Sequence, residues 1–272
     1  MATPIGNLDD MTHRAVRILG SVAAVACEDT RVSAKLMQHF GLGAPLLSLH
    51  EHNEAARVTE VLERLYRGDD IALISDAGTP LVSDPGYRLV HAALEAGLEV
   101  VPIPGPSAPI AALSASGLPT DRFTFHGFLP LKSAARRTLL TSLQQAPETH
   151  IFFEAPHRIL ESLSDFAELL PRHPLVLARE VTKLHEEFLR GTAAELHATL
   201  AARPAIKGEI TLLLGKAPEN ALAVPDAAGL RAEIEALEKT GVARNDAIKQ
   251  VARRYGLGKR QVYDAAHGLR SE

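Results

Sequence analysis

Ile71-Ala-Leu-Ile-Ser-Asp-Ala-Gly-Thr-Pro-Leu-Val-Ser-Asp-Pro-Gly86, followed by Tyr87-Arg-Leu-Val-His-Ala-Ala-Leu94, is the stretch whose reading decides the fold. An apolar run, a turn-rich loop and an amphipathic run read as a buried strand, a loop and a helix. In an open parallel sheet such a loop sits at the carboxyl end of a strand, where ligands bind. Its twelve residues, 75–86, exceed the roughly 2–6 usual for a strand-to-helix connection. Asp76 and Asp84, with two prolines and two glycines, describe a rigid acidic loop that holds something. An ordinary surface loop is the bland alternative.

Working outward, the same grammar repeats. Asp9-Asp-Met-Thr12 offers N-caps for a helix over about 12–20. Val22–Cys27 and Leu46–Leu49 are short apolar strands, which deliver Glu28-Asp-Thr-Arg31 and His50-Glu-His-Asn-Glu54. Glu99–Ile103 reads as a fourth strand, running into Pro104-Gly-Pro-Ser-Ala-Pro109 and a small-residue helix over 110–116. Strand–helix alternation predicts a doubly wound α/β layer. Four strand ends then carry unusual loops (28–31, 50–54, 75–86 and 104–109) on one sheet edge, which disfavours the bland alternative.

Gly117-Leu-Pro-Thr-Asp121 marks a linker. Strands near 123–128, 151–153, 175–178, 186–190 and 209–214, with helices between most of them, form a second α/β unit with a mixed sheet. Pro218–Ala228 is a second linker, and the remainder is helical in pattern. Ala247–Tyr255, Gly256-Leu-Gly258 and Lys259–His267 read as helix-turn-helix. The alternative is a helical cap packed on the body through Ile248, Val251, Leu257, Val262 and Tyr263. The domains expected are 1–117, 118–219 and a tail over 226–272.

Composition narrows the function. With 46% apolar and 23% charged residues the 272-residue chain is an ordinary globular protein. The single cysteine, Cys27, rules out an internal disulfide framework and, lying in an apolar run, reads as core. No apolar run is long enough for a membrane span and no leader opens the chain, so a cytoplasmic location is expected. Residues 1–241 carry 22 Lys+Arg against 30 Asp+Glu, a net of −8. Residues 242–270 carry seven against two, a net of +5, which favours a polyanion partner for the tail.

Neither a dinucleotide-binding Gly-x-Gly-x-x-Gly after a strand nor a nucleotide-binding Gly-x-x-x-x-Gly-Lys is present. A ligand with a positive centre suits loops lined by Glu28 and Asp76 better than a phosphorylated one. His50 and His52 lack metal-ligand spacing, so no metal is expected.

Thr3-Pro-Ile-Gly-Asn-Leu8, Glu28–Arg31, His50–Glu54, Ser75–Gly86, Pro104-Gly-Pro-Ser107 and Phe152-Phe-Glu-Ala-Pro-His-Arg158 follow the order seen in one family. Across essentially its whole length the chain resembles the ribosomal RNA small-subunit methyltransferase I family of the tetrapyrrole-methylase-like (class III) methyltransferases. The resemblance implies two α/β domains of that type with a C-terminal helical extension. It further implies a homodimer, S-adenosyl-L-methionine held in the cleft between the domains, and methylation of the ribose 2′-hydroxyl of cytidine 1402 in 16S rRNA. The family places its first strand just before the Thr-Pro-Ile-Gly loop, where this chain has only Met1 and Ala2, so that strand is expected to be missing and the true start to lie upstream.

By motif, the cofactor is expected at Pro4, Ile5, Asp76, Thr79, Ser107 and Ala108, and at Phe153, Ala178 and Gly208 of the second domain. Candidate bases for the hydroxyl proton are Glu28, Asp29 and Glu54. Arg31, His52 and Asn53 are expected to contact substrate, and Lys132, Arg136, Arg137 and Arg158 to form a positive track for RNA with the tail. Two other readings stay open at this point, a tetrapyrrole methyltransferase and a non-catalytic nucleic-acid-binding regulator.

Overall fold

The computed structural model describes residues 1–50, 52–217, 225–255 and 257–267. Glu51, Gly256, Arg270 and most of the second linker lie outside the described residues. The chain divides into one unit of residues 1–115 and 179–187 and another of 116–178 and 188–272. The division falls close to the linker at 117, but residues 179–187, read as part of the second domain, group with the first.

In the first unit, three short strands form a parallel sheet in the order β2 (Leu46–Ser48), β1 (Ala24–Cys27), β3 (Ile71–Leu73). All of β1 is buried, as a central strand covered on both faces must be. Helix α1 (His13–Leu19) starts where the Thr12 side chain accepts from Ala15 N. It buries Ala15 and Leu19 in a core shared with Val25, Cys27, Ala72, Ile74 and Ile103. Helices α2 (Thr30–His39), α3 (Glu54–Tyr66), α4 (Tyr87–Glu95) and α5 (Ala108–Ser116) follow the sheet strands and the extended segment ending at Ile103.

The strand expected over Glu99–Ile103 does not form. Ile103 is buried and its carbonyl accepts from Ala2 N (3.2 Å), but Val100 and Val101 are exposed. A strand needs a ladder of neighbours, and the Ala2–Ile103 bond is a single contact rather than a ladder. Met1 lies beside it, its amino group donating to Leu73 O (2.8 Å).

The second unit holds a five-stranded sheet in the order β4 (Phe123–Phe128), β5 (Thr149–Glu154), β8 (Ile210–Leu214), β6 (Leu175–Arg179), β7 (Glu187–Gly191). It is mixed, as expected, with β4 parallel and β8 antiparallel to β5. Helices α6 (Ser133–Ser142), α7 (Ile159–Leu169) and α8 (Ala193–Ala201) cover a core of Phe152, Phe166, Leu163, Leu177 and Leu212.

A cation lies within this layer. Arg136 of α6 is wholly buried, and pairs with Asp165 (2.7 Å) and Glu161 (2.6 Å) of α7. Arg137 pairs with Asp165 and Glu168 (both 2.9 Å). These arginines were expected to face RNA; instead their charge is spent fastening two helices.

The tail forms α9 (Ala227–Lys239), α10 (Arg244–Tyr255) and α11 (Lys259–His267). Leu230, Ile234, Ala247, Ile248, Val251, Ala252, Tyr255 and Val262 make a core of their own. The apolar residues read as a cap on the body are thus the interior of a three-helix unit, except Tyr263, which is exposed.

Removing one partner of a buried ion pair strands the other's charge, at a cost of about 3–5 kcal/mol. Here Arg136→Met leaves Asp165 paired with Arg137 and Glu161 open to solvent, so the loss expected is that of its charged hydrogen bonds, about 1.5–3 kcal/mol. Urea unfolding followed by far-UV circular dichroism checks it, the chain having no tryptophan.

Candidate active site

Four loops of the first unit are tied together by their own backbone. Thr3 and Gly78 exchange both backbone bonds (Thr3 N to Gly78 O 2.9 Å; Gly78 N to Thr3 O 3.0 Å). Thr3 Oγ1 donates to Ser75 O (3.1 Å), and Thr79 Oγ1 to Pro106 O (3.1 Å). Asp29 N donates to Asp76 Oδ1 (3.1 Å), joining the end of β1 to the long loop. Gly78 sits at φ 80°, and a Cβ there would touch Ile5 Cγ2 at 3.4 Å. Pro4, Ile5, Asp76, Thr79 and the turn before Ser107 and Ala108 are thereby brought to one edge. Ser107 O accepts from Ala111 N (2.9 Å) as α5 begins.

This edge is acidic. Half-buried Asp84 has its pKa raised to about 6, first by burial, then by the Glu28 carboxylate and more weakly by Asp76, against a hydrogen bond from Ser75. The loop also holds Leu81 (φ 71°) and Ser83 (φ 69°) in left-handed backbone, a conformation that costs free energy for side-chain-bearing residues. Sequence reading put Asp84 in the loop but gave it no role. Its signal was an aspartate flanked by Ser83 and Pro85 in a segment too apolar at Leu81-Val82 to be plain solvent loop.

Two of the three candidate bases are otherwise engaged. Asp29 grips Arg31 through two oxygens (Arg31 Nη2 to Oδ2 2.6 Å; Nε to Oδ1 3.0 Å) and caps α2 through Arg31 N (2.8 Å). Those bonds hold its carboxyl down at about 2, far too acidic for a base. Glu54 is buried, and its Oε1 accepts from Gly86 N (3.2 Å) and Arg88 N (2.9 Å), closing the start of α4. Neither suits proton abstraction. Asn53 holds its own loop, accepting from His50 N (2.8 Å) and donating to Ser48 O (3.1 Å), while His52 is exposed. Arg31 remains exposed beyond its aspartate. Cys27 is core, its thiol pushed up by burial.

In the second unit, Phe153, Ala178 and Gly208 lie at one end of the sheet. Glu154 pairs with Ile210 at that end, while Gly215 N bonds Pro174 O (2.8 Å) at the other, so β6 also finishes beside the start of β8. Ala178 is buried, Gly208 is left-handed (φ 93°), and Phe153 meets Phe125 and Phe128 edge to face. Arg158, expected on the RNA track, is largely buried, bonding Glu154 (2.5 Å) and Leu129 O (2.9 Å). Of that track, Lys132 is exposed.

A family profile described as tetrapyrrole (corrin/porphyrin) methylases matches residues 2–197. The ribosomal RNA small subunit methyltransferase I of Pseudomonas aeruginosa is 48% identical, covering 94% of this chain and 96% of its own. That of Synechocystis sp. is 46% identical, covering 100% and 98%. Among solved structures, diphthine synthase aligns with a TM-score of 0.62 at 14% identity, covering 78% of this chain and 87% of its own. A cobalt precorrin-4 methyltransferase aligns at 0.57 and 19%, covering 77% and 90%; at these identities the two show the fold alone. The family profile and these high-coverage relatives show an S-adenosylmethionine-dependent methyltransferase. The chain belongs to the tetrapyrrole methylase family and, within it, to the ribosomal RNA small subunit methyltransferase I group.

An aspartate titrating near 3.8 when unfolded and about 6 when folded binds its proton more tightly in the native state. Its stabilising contribution is full below about pH 4 and is lost as pH rises through about 6. Urea titrations across this window should show wild type losing stability relative to Asp84→Asn, and a flat difference above it.

Proposed function

We propose that this protein transfers a methyl group from S-adenosylmethionine to the ribose 2′-hydroxyl of cytidine 1402 in the 16S rRNA of the small ribosomal subunit, acting in the cytoplasm as a homodimer. The observation that carries the reading is the 46% identity to a ribosomal RNA small subunit methyltransferase I over the whole chain, tail included.

The residues of the first unit fit the cofactor. A sulfonium is a cation, and Asp84 is a carboxyl whose ionisation is held back by burial and by Glu28. A positive centre beside these groups relieves that penalty. Pro4, Ile5, Asp76, Thr79, Ser107 and Ala108 would hold it there. When bound, it supplies a methyl group on an electrophilic carbon.

The chain supplies position and a proton acceptor. In-line attack depends mostly on alignment, which the bonded loops fix in advance. Glu28, at the end of β1 and close enough to raise Asp84, is the base that receives the hydroxyl proton. Arg31, exposed in the first turn of α2, and the exposed His52 orient the ribose and its phosphate, while Asn53 holds the loop that carries His52. RNA affinity comes from Lys132 and the tail, where Arg254 and Lys249 are paired with Glu233 (3.0 Å) and Asp246 (2.9 Å), while Lys259 and Arg260 are exposed on α11.

Labelled S-adenosylmethionine incubated with isolated small subunits should label a ribose 2′-oxygen at the decoding centre. No label despite intact cofactor binding would reject the substrate. Glu28→Gln should slow single-turnover transfer roughly 10²–10⁴-fold with little change in cofactor affinity. Reversing Lys259 and Arg260 to glutamate should weaken RNA binding and lessen the slope of its salt dependence, by roughly one for each phosphate no longer neutralised.

A further inference from the structure

The left-handed residues point to a second loop. Among the described residues four non-glycines adopt positive φ: Leu81, Ser83, Glu180 (53°) and Thr182 (69°). All four lie in the first unit, two in the long loop and two in the segment 179–187 that groups with it. Such backbone persists where the surroundings impose it, commonly at ligand sites.

The 179–187 segment is braced from within. Thr182 N donates to Glu186 Oε2 (2.6 Å), and Lys183 Nζ pairs with Glu180 Oε1 (2.9 Å). Arg179 Nε holds Glu187 Oε2 (3.0 Å) across its ends. So fixed, the turn lies directly on Gly6 of the Thr-Pro-Ile-Gly loop. A Cβ at Gly6 would overlap Lys183 Cγ and stand 2.9 Å from Thr182 Oγ1. Glycine is required there by contact, since nothing smaller exists.

One atom in this contact lacks a partner. The Thr182 hydroxyl oxygen is buried and makes no hydrogen bond. A buried hydroxyl without a partner costs stability unless something else completes it. It stands beside Gly6, next to the residues Pro4 and Ile5 assigned to the cofactor above.

We propose that Thr182 belongs to the methyl-donor site: its hydroxyl hydrogen-bonds S-adenosylmethionine seated against Pro4–Gly6, while the Lys183 stem presses that loop into its binding conformation. The proposal rests on the cofactor assignment of the preceding section. It makes Thr182 a binding residue and Lys183 a positioning residue.

Thr182→Val separates binding from structure. Valine keeps the branched shape at the same φ and removes only the hydroxyl. Calorimetric titration of the full-length protein with S-adenosylmethionine should show the dissociation constant rising roughly tenfold. The melting temperature of the ligand-free variant should hold or rise, because an unpaired polar group has gone. Unchanged affinity, or an affinity loss matched by a fall in melting temperature, overturns the role of the hydroxyl.

Gly6→Ala tests the stem. It should weaken cofactor binding by roughly tenfold or more, and adding Lys183→Ala should restore part of that affinity by clearing the space. Gly6→Ala binding as wild type overturns the positioning role. Wild type failing to bind S-adenosylmethionine takes the functional reading down as well. Wild type that binds and methylates beside an unaffected Thr182→Val removes this inference alone.

Discussion

The reciprocal backbone pair between Thr3 and Gly78 is the constraint on which the first unit depends. It exists because Gly78 adopts φ 80° without a side chain, turning both its amide and its carbonyl toward the opening loop. Thr3 Oγ1, Thr79 Oγ1 and Asp29 N extend the pairing to Ser75, Pro106 and Asp76. Each such bond contributes only about 0.5–1.5 kcal/mol net. Ordering a residue costs about 1–2 kcal/mol of backbone entropy, so these bonds alone do not hold twelve loop residues still. Burial of Ala2, Thr3, Ile5, Ile74 and Ser75 beneath them supplies the rest. The hydrogen bonds choose the conformation, and the buried side chains hold it.

Charge reads differently in three dimensions. Arg136, Arg137 and Arg158 look in sequence like a basic track, yet all three close ion pairs inside the second unit. The sign that they would do so is present one helix later. Glu161, Asp165 and Glu168 recur at spacings of four and three, one acidic stripe on α7. A cationic run opposite an acidic stripe on the next helix is a packing signal before it is a ligand signal.

Much of the architecture was legible because it rests on local rules. Apolar runs ending in turn residues gave the strands, Thr12 gave the start of α1, and two strands without an intervening helix gave a mixed sheet. The failures lie where a distant partner decides. Glu99–Ile103 has the composition of a strand, but a strand also needs neighbours. Glu54 has the chemistry of a base, but the amides of Gly86 and Arg88, far along the chain, claim it. Thr182 drew no notice, because only the folded chain sets it beside Gly6. The acidic loop was visible as a place; which of its carboxyls would be strained was not.

The separate core of the tail has a consequence for hydrogen exchange. Amides in α10 are guarded by Leu230, Ile234, Ile248 and Val251, side chains of the tail itself. Their protection from exchange is therefore set largely by packing among the three tail helices, and slow exchange in α10 reports on that packing. A substitution among Leu230, Ile234, Ile248 and Val251 would thus be felt first as faster exchange in the three tail helices.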